Sequence, residues 1–178
     1  MYFFTGDEHF FHTKILAYSN RPFPSIEEMD EALISNHNEV VKPGDAVIHA
    51  GDFTMLGNRK EVQKKYVDRL NGTHIFIRGS HDRWLPRHFP TIWERKIDDM
   101  FIVVCHYAMR SWARSHYNSW QLHGHHHGHL GPIGKQWDVG VDNNNYYPVS
   151  LDQIIEIMKD RPNNLDYERI RDERLRIG

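Results

Sequence analysis

Short apolar runs alternate with longer amphipathic stretches along this chain. The aromatic and β-branched run at 2–5 predicts a buried strand, as do the runs at 46–50 and 73–77. Between the first two, Ser25 with Glu28 three residues later forms a capping-box signature. The helix it opens takes its apolar face from Met29, Leu33, Val40 and Val41, and Pro43-Gly44-Asp45 supplies the turn that ends it. His37 falls inside this helix and reads as structural. A second helix over 59–70 places Val62, Tyr66 and Leu70 on one side, and Asn71-Gly72 is a turn. Residues 92–97 and 100–105 predict a hairpin about Asp98-Asp99. Another strand leads into a histidine tract, and 136–141 predict a last strand. Ser150 caps a helix running through Met158, with Ile154, Ile155 and Met158 inward. Pro162 breaks it. The charged segment 165–177, where Glu168 and Asp172 repel at i,i+4, predicts a solvated helix, with Tyr167, Ile170 and Leu175 offering a dimer contact. Alternating strands and helices predict an α/β fold: one domain over 1–160 and a charged helical tail over 161–178.

Polar residues recur where these strands end. Asp7 and His9 follow the first strand, Asp52 the second, His81 and Asp82 the third, and His106 the hairpin. In open α/β sheets sites gather at the carboxyl ends of strands, so the repetition carries more weight than any single pair. The tract Leu122-His123-Gly124-His125-His126-His127-Gly128-His129 is the densest of these clusters. Its crowded imidazoles would depress one another's pKa, which favours a metal or an open surface. If the tract is extended, His125 and His127 face one side and form a ligand pair, with His126 on the other.

Composition narrows the chemistry. The 14 histidines and one cysteine leave imidazole and carboxylate as the metal ligands, which suits Mn, Fe, Co, Ni or Zn rather than thiolate-bound metals. The lone Cys105 excludes an intrachain disulfide and fits a reducing compartment. A formal net charge of -2 without a basic run argues against a stable nucleic-acid partner. The first residues lack the basic and apolar regions of a signal peptide, and no apolar run is long enough to span a bilayer, so a cytoplasmic protein is expected.

The motifs Asp7-Glu8-His9, Gly51-Asp52, Gly79-Ser80-His81-Asp82, His106 and Gly124-His125-His126-His127 stand in the order found in calcineurin-like metallophosphoesterases, and the chain resembles that superfamily from Tyr2 to about Met158. Asn20-Arg21-Pro22-Phe23 and Val139-Gly140-Val141-Asp142 resemble its small prokaryotic and phage members. The resemblance implies a four-layer α/β sandwich, with two facing mixed sheets flanked by helices. It also implies two divalent metals, manganese favoured. Asp7, His9 and His127 would hold one, His106 and His125 the other, and Asp52 both. His81 would protonate the leaving oxygen, with Asp82 fixing its tautomer. His12 would meet substrate, and Arg78 and Arg110 would hold its phosphate. His49, His123, His126 and His129 match no ligand position and read as supporting or surface groups.

Ser80 departs from the pattern, which has Asn as a ligand of the second metal; the shorter hydroxyl is a poorer ligand. The implied function is hydrolysis of a phosphoester by a monomer or homodimer. A diester of nucleotide type, cyclic ones included, suits a chain without a cap domain. The alternatives are a phosphomonoesterase and a binding or scaffold protein weakened at Ser80.

Overall fold

The computed structural model describes residues 1–177, with the side chains at 174 and 177 set aside. Eight strands form two four-stranded sheets among these residues. In the first, β1 (Tyr2–Thr5) and β2 (Ala46–His49) pair in parallel, β2 pairs in parallel with β3 (Thr73–Phe76), and the short β8 (Val149–Ser150) closes the other edge antiparallel to β1. In the second, β4 (Ile92–Ile97) and β5 (Met100–Cys105) form the expected hairpin. There β5, β6 (Trp120–His123) and β7 (Gln136–Asp138) run parallel. Both sheets are therefore mixed. Phe4 and Ile48 of the first sheet share a buried cluster with Ile102, Val104 and Leu122 of the second, so the sheets face each other.

Five helices complete the layers: α1 (Ile15–Tyr18), α2 (Ile26–Val40), α3 (Arg59–Lys65), α4 (Leu151–Asp160) and α5 (Leu165–Ile177). Helix α2 starts where Ser25 accepts the Glu28 amide, and it buries Met29, Leu33 and Ile34. These pack with Phe10, Phe53, Tyr66 and Trp84 on the outer side of the first sheet. Helix α4 carries a full capping box between Ser150 and Gln153, and its Ile154 and Met158 join the cluster between the sheets. Among the described residues, no helix is long and apolar enough to cross a membrane.

Several boundaries differ from the sequence reading. The helix over 59–70 stops at Lys65 and tightens into a 3₁₀ turn at Val67–Arg69, yet still buries Val62, Tyr66 and Leu70. The strand over 136–141 stops at Asp138, because the Asp138 carboxylate accepts the Gly140 amide and turns the chain into a 3₁₀ turn at Val141–Asn143. Helix α1 and strand β8, four and two residues long, lacked the length to show a period.

Candidate metal centre

Two groups of side chains converge at the carboxyl ends of β1, β2, β5 and β6. Asp7, His9 and His127 form one, and Asp52, His106 and His125 the other; within each, the ligand atoms lie within 4.8 Å of one another. The groups adjoin. One oxygen of Asp52, Oδ2, lies 3.2 Å from His106 Nε2 and 3.8 Å from His9 Nε2. Asp7 Oδ1 lies 3.9 Å from His106 Nδ1.

The backbone that presents these groups is not extended. Asp7, His9, Asp52, His125 and His127, five of the six ligand residues, have positive φ between 49 and 69°. Left-handed backbone is unfavourable for bulky non-glycine residues and gathers at functional sites, where surrounding structure holds it in place. This corrects the expectation of an extended histidine tract with His125 and His127 as a pair facing one side: they belong to different groups. Glycines make the close approach possible. A Cβ at Gly79 would lie 2.3 Å from Asp52 Oδ1, and one at Gly124 or Gly140 would lie 2.7 Å from Asp7 Oδ2.

Three ligand atoms are among the buried polar atoms left unsatisfied. Asp7 Oδ1, His9 Nε2 and His106 Nε2 are buried without a hydrogen-bond partner, although buried polar atoms are almost always paired. The remaining nitrogens are committed elsewhere. His106 Nδ1 donates to the Ala50 carbonyl at 3.0 Å, and His127 Nδ1 to Asp142 Oδ2 at 2.6 Å. Each bond leaves Nε2 as the lone-pair nitrogen, the usual arrangement around a metal-binding imidazole. The electrostatics agree. Burial, followed by Asp138 and Asp52, drives the Asp7 carboxyl well above its ordinary pKa, while burial pushes His9 down to about 2. Asp52 is held low despite its burial, by the close approach of the His106 ring and the hydrogen bond from the His81 amide. Packed carboxylates and neutral imidazoles of this kind fit divalent cations.

The residues around the two groups have varied fates. His12 Nδ1 sits 3.1 Å from His9 Nδ1. His81 is half-exposed, with Nε2 3.9 Å from Asp52 Oδ2. Ser80 lies in neither ligand group; its hydroxyl donates to Asp52 Oδ2 at 3.0 Å. Asp82 requires a correction. Its carboxylate does not touch the His81 ring but accepts the amides of Asp52, Phe53 and Gly79 and the indole N–H of Trp84, at 2.8 to 3.1 Å. It clamps the backbone of Asp52 against that of Gly79. Arg110 also departs from expectation: it lines a surface cleft with Trp112, Asn164 and Asp166 that includes no ligand residue. Arg78 has its Nε buried without a partner and makes no hydrogen bond to either ligand group.

Three supporting elements escaped the sequence reading. Arg21 ties Asp142 to the Asp7-Glu8 backbone. Asp138 accepts the Gly128 amide just past His127. Glu8 and His49, both buried, and the half-buried His74 form a chain, with Glu8 Oε1 2.6 Å from His49 Nδ1 and His49 Nε2 2.9 Å from His74 Nδ1. The signal for the first was present as an Arg in a proline-stiffened loop and an Asp past a strand. Nothing local announced that they meet.

No protein-family model matches the chain. An uncharacterized protein of the archaeon Methanocaldococcus jannaschii is 35% identical over 161 residues, covering 86% of this chain and 89% of that protein. The chain belongs to its family. Its two facing mixed sheets flanked by helices are the architecture that the resemblance to calcineurin-like metallophosphoesterases implies. A crystal structure of a protein of unknown function from Aquifex aeolicus shares the fold, with a TM-score of 0.68 at 22% identity over 88% of this chain and 98% of that one. A Streptococcus pneumoniae protein described as a predicted phosphoesterase aligns at a TM-score of only 0.41 and 15% identity, over 71% of this chain and 62% of that one, and adds no weight.

Proposed function

We propose that this protein is a binuclear metal-dependent phosphodiesterase acting on nucleotide-type diesters, cyclic ones included. The observation that carries the reading is the convergence of buried ligand atoms without hydrogen-bond partners: His9 Nε2 and His106 Nε2 flank Asp52 Oδ2, and Asp7 Oδ1 lies beside the His106 ring. Asp7, His9 and His127 would hold one cation, His106 and His125 the other, and Asp52 both. Manganese is favoured among Mn, Fe, Co, Ni and Zn, all of which suit imidazole and carboxylate donors. Bound there, such a pair polarises a phosphoryl oxygen and acidifies water for attack on phosphorus.

The chain's own groups do the rest. Asp52 and Asp7 bring negative charge that holds the cations together. His81 borders Asp52, and no hydrogen bond restrains its imidazole among the described residues, so it can reach a leaving oxygen and protonate it. His12, bonded to His9, lies where substrate would contact the first group. The exposure of His125 leaves the second group open to a substrate with two organic arms, which favours a diester over a monoester. A soluble cytoplasmic monomer or homodimer, without nucleic acid as a stable partner, completes the proposal.

The test compares bis(p-nitrophenyl) phosphate with p-nitrophenyl phosphate in the presence of Mn, Fe, Co, Ni or Zn. Diester turnover should exceed monoester turnover, disappear on chelation and vanish in Asp52→Asn. Background rates with every metal would overturn the reading and favour a binding protein, a rival that draws on the Ser80 hydroxyl bound to Asp52 in place of an Asn.

A further inference from the structure

We propose that Tyr107 is a specificity-determining residue: its ring is the platform on which the base of a nucleoside phosphate stacks. The proposal rests on the phosphoester reading and names the part of the substrate beyond phosphorus.

Tyr107 directly follows a ligand residue and borders the second group. Its ring centroid lies 4.9 Å from that of His106 and 4.7 Å from that of His125, edge-on to both at 69 and 66°. It is nonetheless 48% exposed, a large ring surface left open beside the buried His106 and the exposed His125. The ring has no other visible structural use.

The chain invests in holding it. Gln121 and Gln136 are buried on neighbouring strands β6 and β7. Gln121 Nε2 donates to the Tyr107 carbonyl at 3.2 Å, and its Oε1 accepts Gln136 Nε2 at 2.8 Å. Gln136 Nε2 also donates to the Met109 carbonyl at 2.6 Å, and Gln121 Oε1 accepts the Met109 amide at 3.4 Å. Burying two primary amides costs desolvation and side-chain entropy. Here they pin the backbone of Tyr107 and Met109 to the sheet, which pre-organises the ring.

A second aromatic surface borders the first group. His12 lies 5.1 Å, centroid to centroid, from His9 and 5.8 Å from His81, and the exposed Tyr18 ring is 6.3 Å from His12. Arg110 faces its own cleft, away from both ligand groups. The exposed rings of Tyr107 and Tyr18 are the π-faces that border the two groups. Stacking accepts any base, so the class assigned is the nucleoside phosphate and not a particular base.

The experiment titrates manganese-loaded protein calorimetrically with adenosine monophosphate and with ribose phosphate, which differ only in the base, and measures metal content alongside. Wild type should bind the nucleotide about tenfold tighter, within the range of one stacked base. Tyr107→Leu should bring the ratio near unity with metal content unchanged, and Tyr107→Trp should preserve it. No preference in wild type overturns the proposal, as does a preference that survives Tyr107→Leu. Equal loss of both ligands together with metal also overturns it, since Tyr107 would then merely support His125. Failure of diester turnover with the base preference intact sinks only the hydrolase reading.

Discussion

Arg21 and Asp142 form a two-pronged ion pair across 121 residues of sequence, with Nε to Oδ1 at 2.8 Å and Nη2 to Oδ2 at 2.7 Å. The same guanidinium donates to the carbonyls of Asp7 at 2.6 Å and Glu8 at 2.8 Å. The same Asp142 carboxylate accepts His127 Nδ1 at 2.6 Å. One buried fork thus sets the backbone of one ligand and the ring of another in the first group.

Lysine keeps the charge but cannot reproduce that fork. Arg21→Lys should lower metal affinity at the first group by about 10–100-fold, the usual effect of losing a partner that orients a ligand. Calorimetric metal titration of the variant checks this. Affinity equal to wild type would show that the fork serves only folding.

Asp82 offers a sharper discrimination. Its carboxylate accepts four N–H donors, whereas an asparagine side chain there would have a single oxygen and would turn an amide NH₂ toward donors. Asp82→Asn should cost about 3 kcal/mol of stability, as a buried site loses charge-assisted hydrogen bonds, and should weaken metal binding through Asp52. Denaturant melts measure the first and metal content the second. A variant of wild-type stability with only its pH–rate profile altered would restore the role of fixing the His81 tautomer.

A pH effect on stability follows from Asp30, which lies on the buried face of α2 and accepts the Tyr66 hydroxyl at 2.6 Å and the Phe11 amide at 3.3 Å. Burial raises its pKa from 3.8 to about 6, against the lowering effect of those hydrogen bonds. The folded pKa lies above the unfolded one, so the folded state binds more protons between these values. Stability from this group falls as pH rises from 3.8 to about 6 and stays reduced above. The span corresponds to about 3 kcal/mol at 1.36 kcal/mol per unit. Asp30→Asn should flatten that part of the stability curve; urea midpoints measured across the window, wild type against variant, test it. Parallel curves would mean that Asp30 titrates normally.

The order of the motifs made the ligand set legible, because each ligand follows a strand whose apolar run is unmistakable. Asp7 after Tyr2–Thr5 and Asp52 after Ala46–His49 needed only that pattern. The backbone that delivers them was not legible. Periodicity assumes regular φ, and left-handed residues at 7, 9, 52, 125 and 127 are fixed by tertiary contacts such as Asp7 Oδ2 accepting the His125 amide at 2.7 Å. The same limit hid Arg21–Asp142 and Glu8–His49, whose partners lie far apart in the chain. Asp82 illustrates the converse: adjacency to His81 suggested contact, but the chain turns there and the carboxylate faces backbone amides instead.

Ser80 is the remaining departure, and its geometry gives the prediction a direction. The hydroxyl donates to Asp52 Oδ2, the oxygen that also lies nearest to His106 Nε2 and His9 Nε2. A hydrogen bond there draws electron density from the carboxylate that both groups share, so it competes with a cation for the same lone pairs. Asn has a longer side chain and carries its own carbonyl oxygen, which is a better donor to a hard cation than a neutral hydroxyl. Because Ser80 is exposed, the larger side chain meets no packing barrier. Ser80→Asn should therefore raise affinity for the second metal and raise diester turnover roughly tenfold, about 1.4 kcal/mol of barrier. Metal stoichiometry at limiting manganese and the rate on bis(p-nitrophenyl) phosphate read the two effects separately. If both stay flat, Ser80 has no bearing on the second group. If affinity rises while the rate does not, occupancy of that group does not limit turnover.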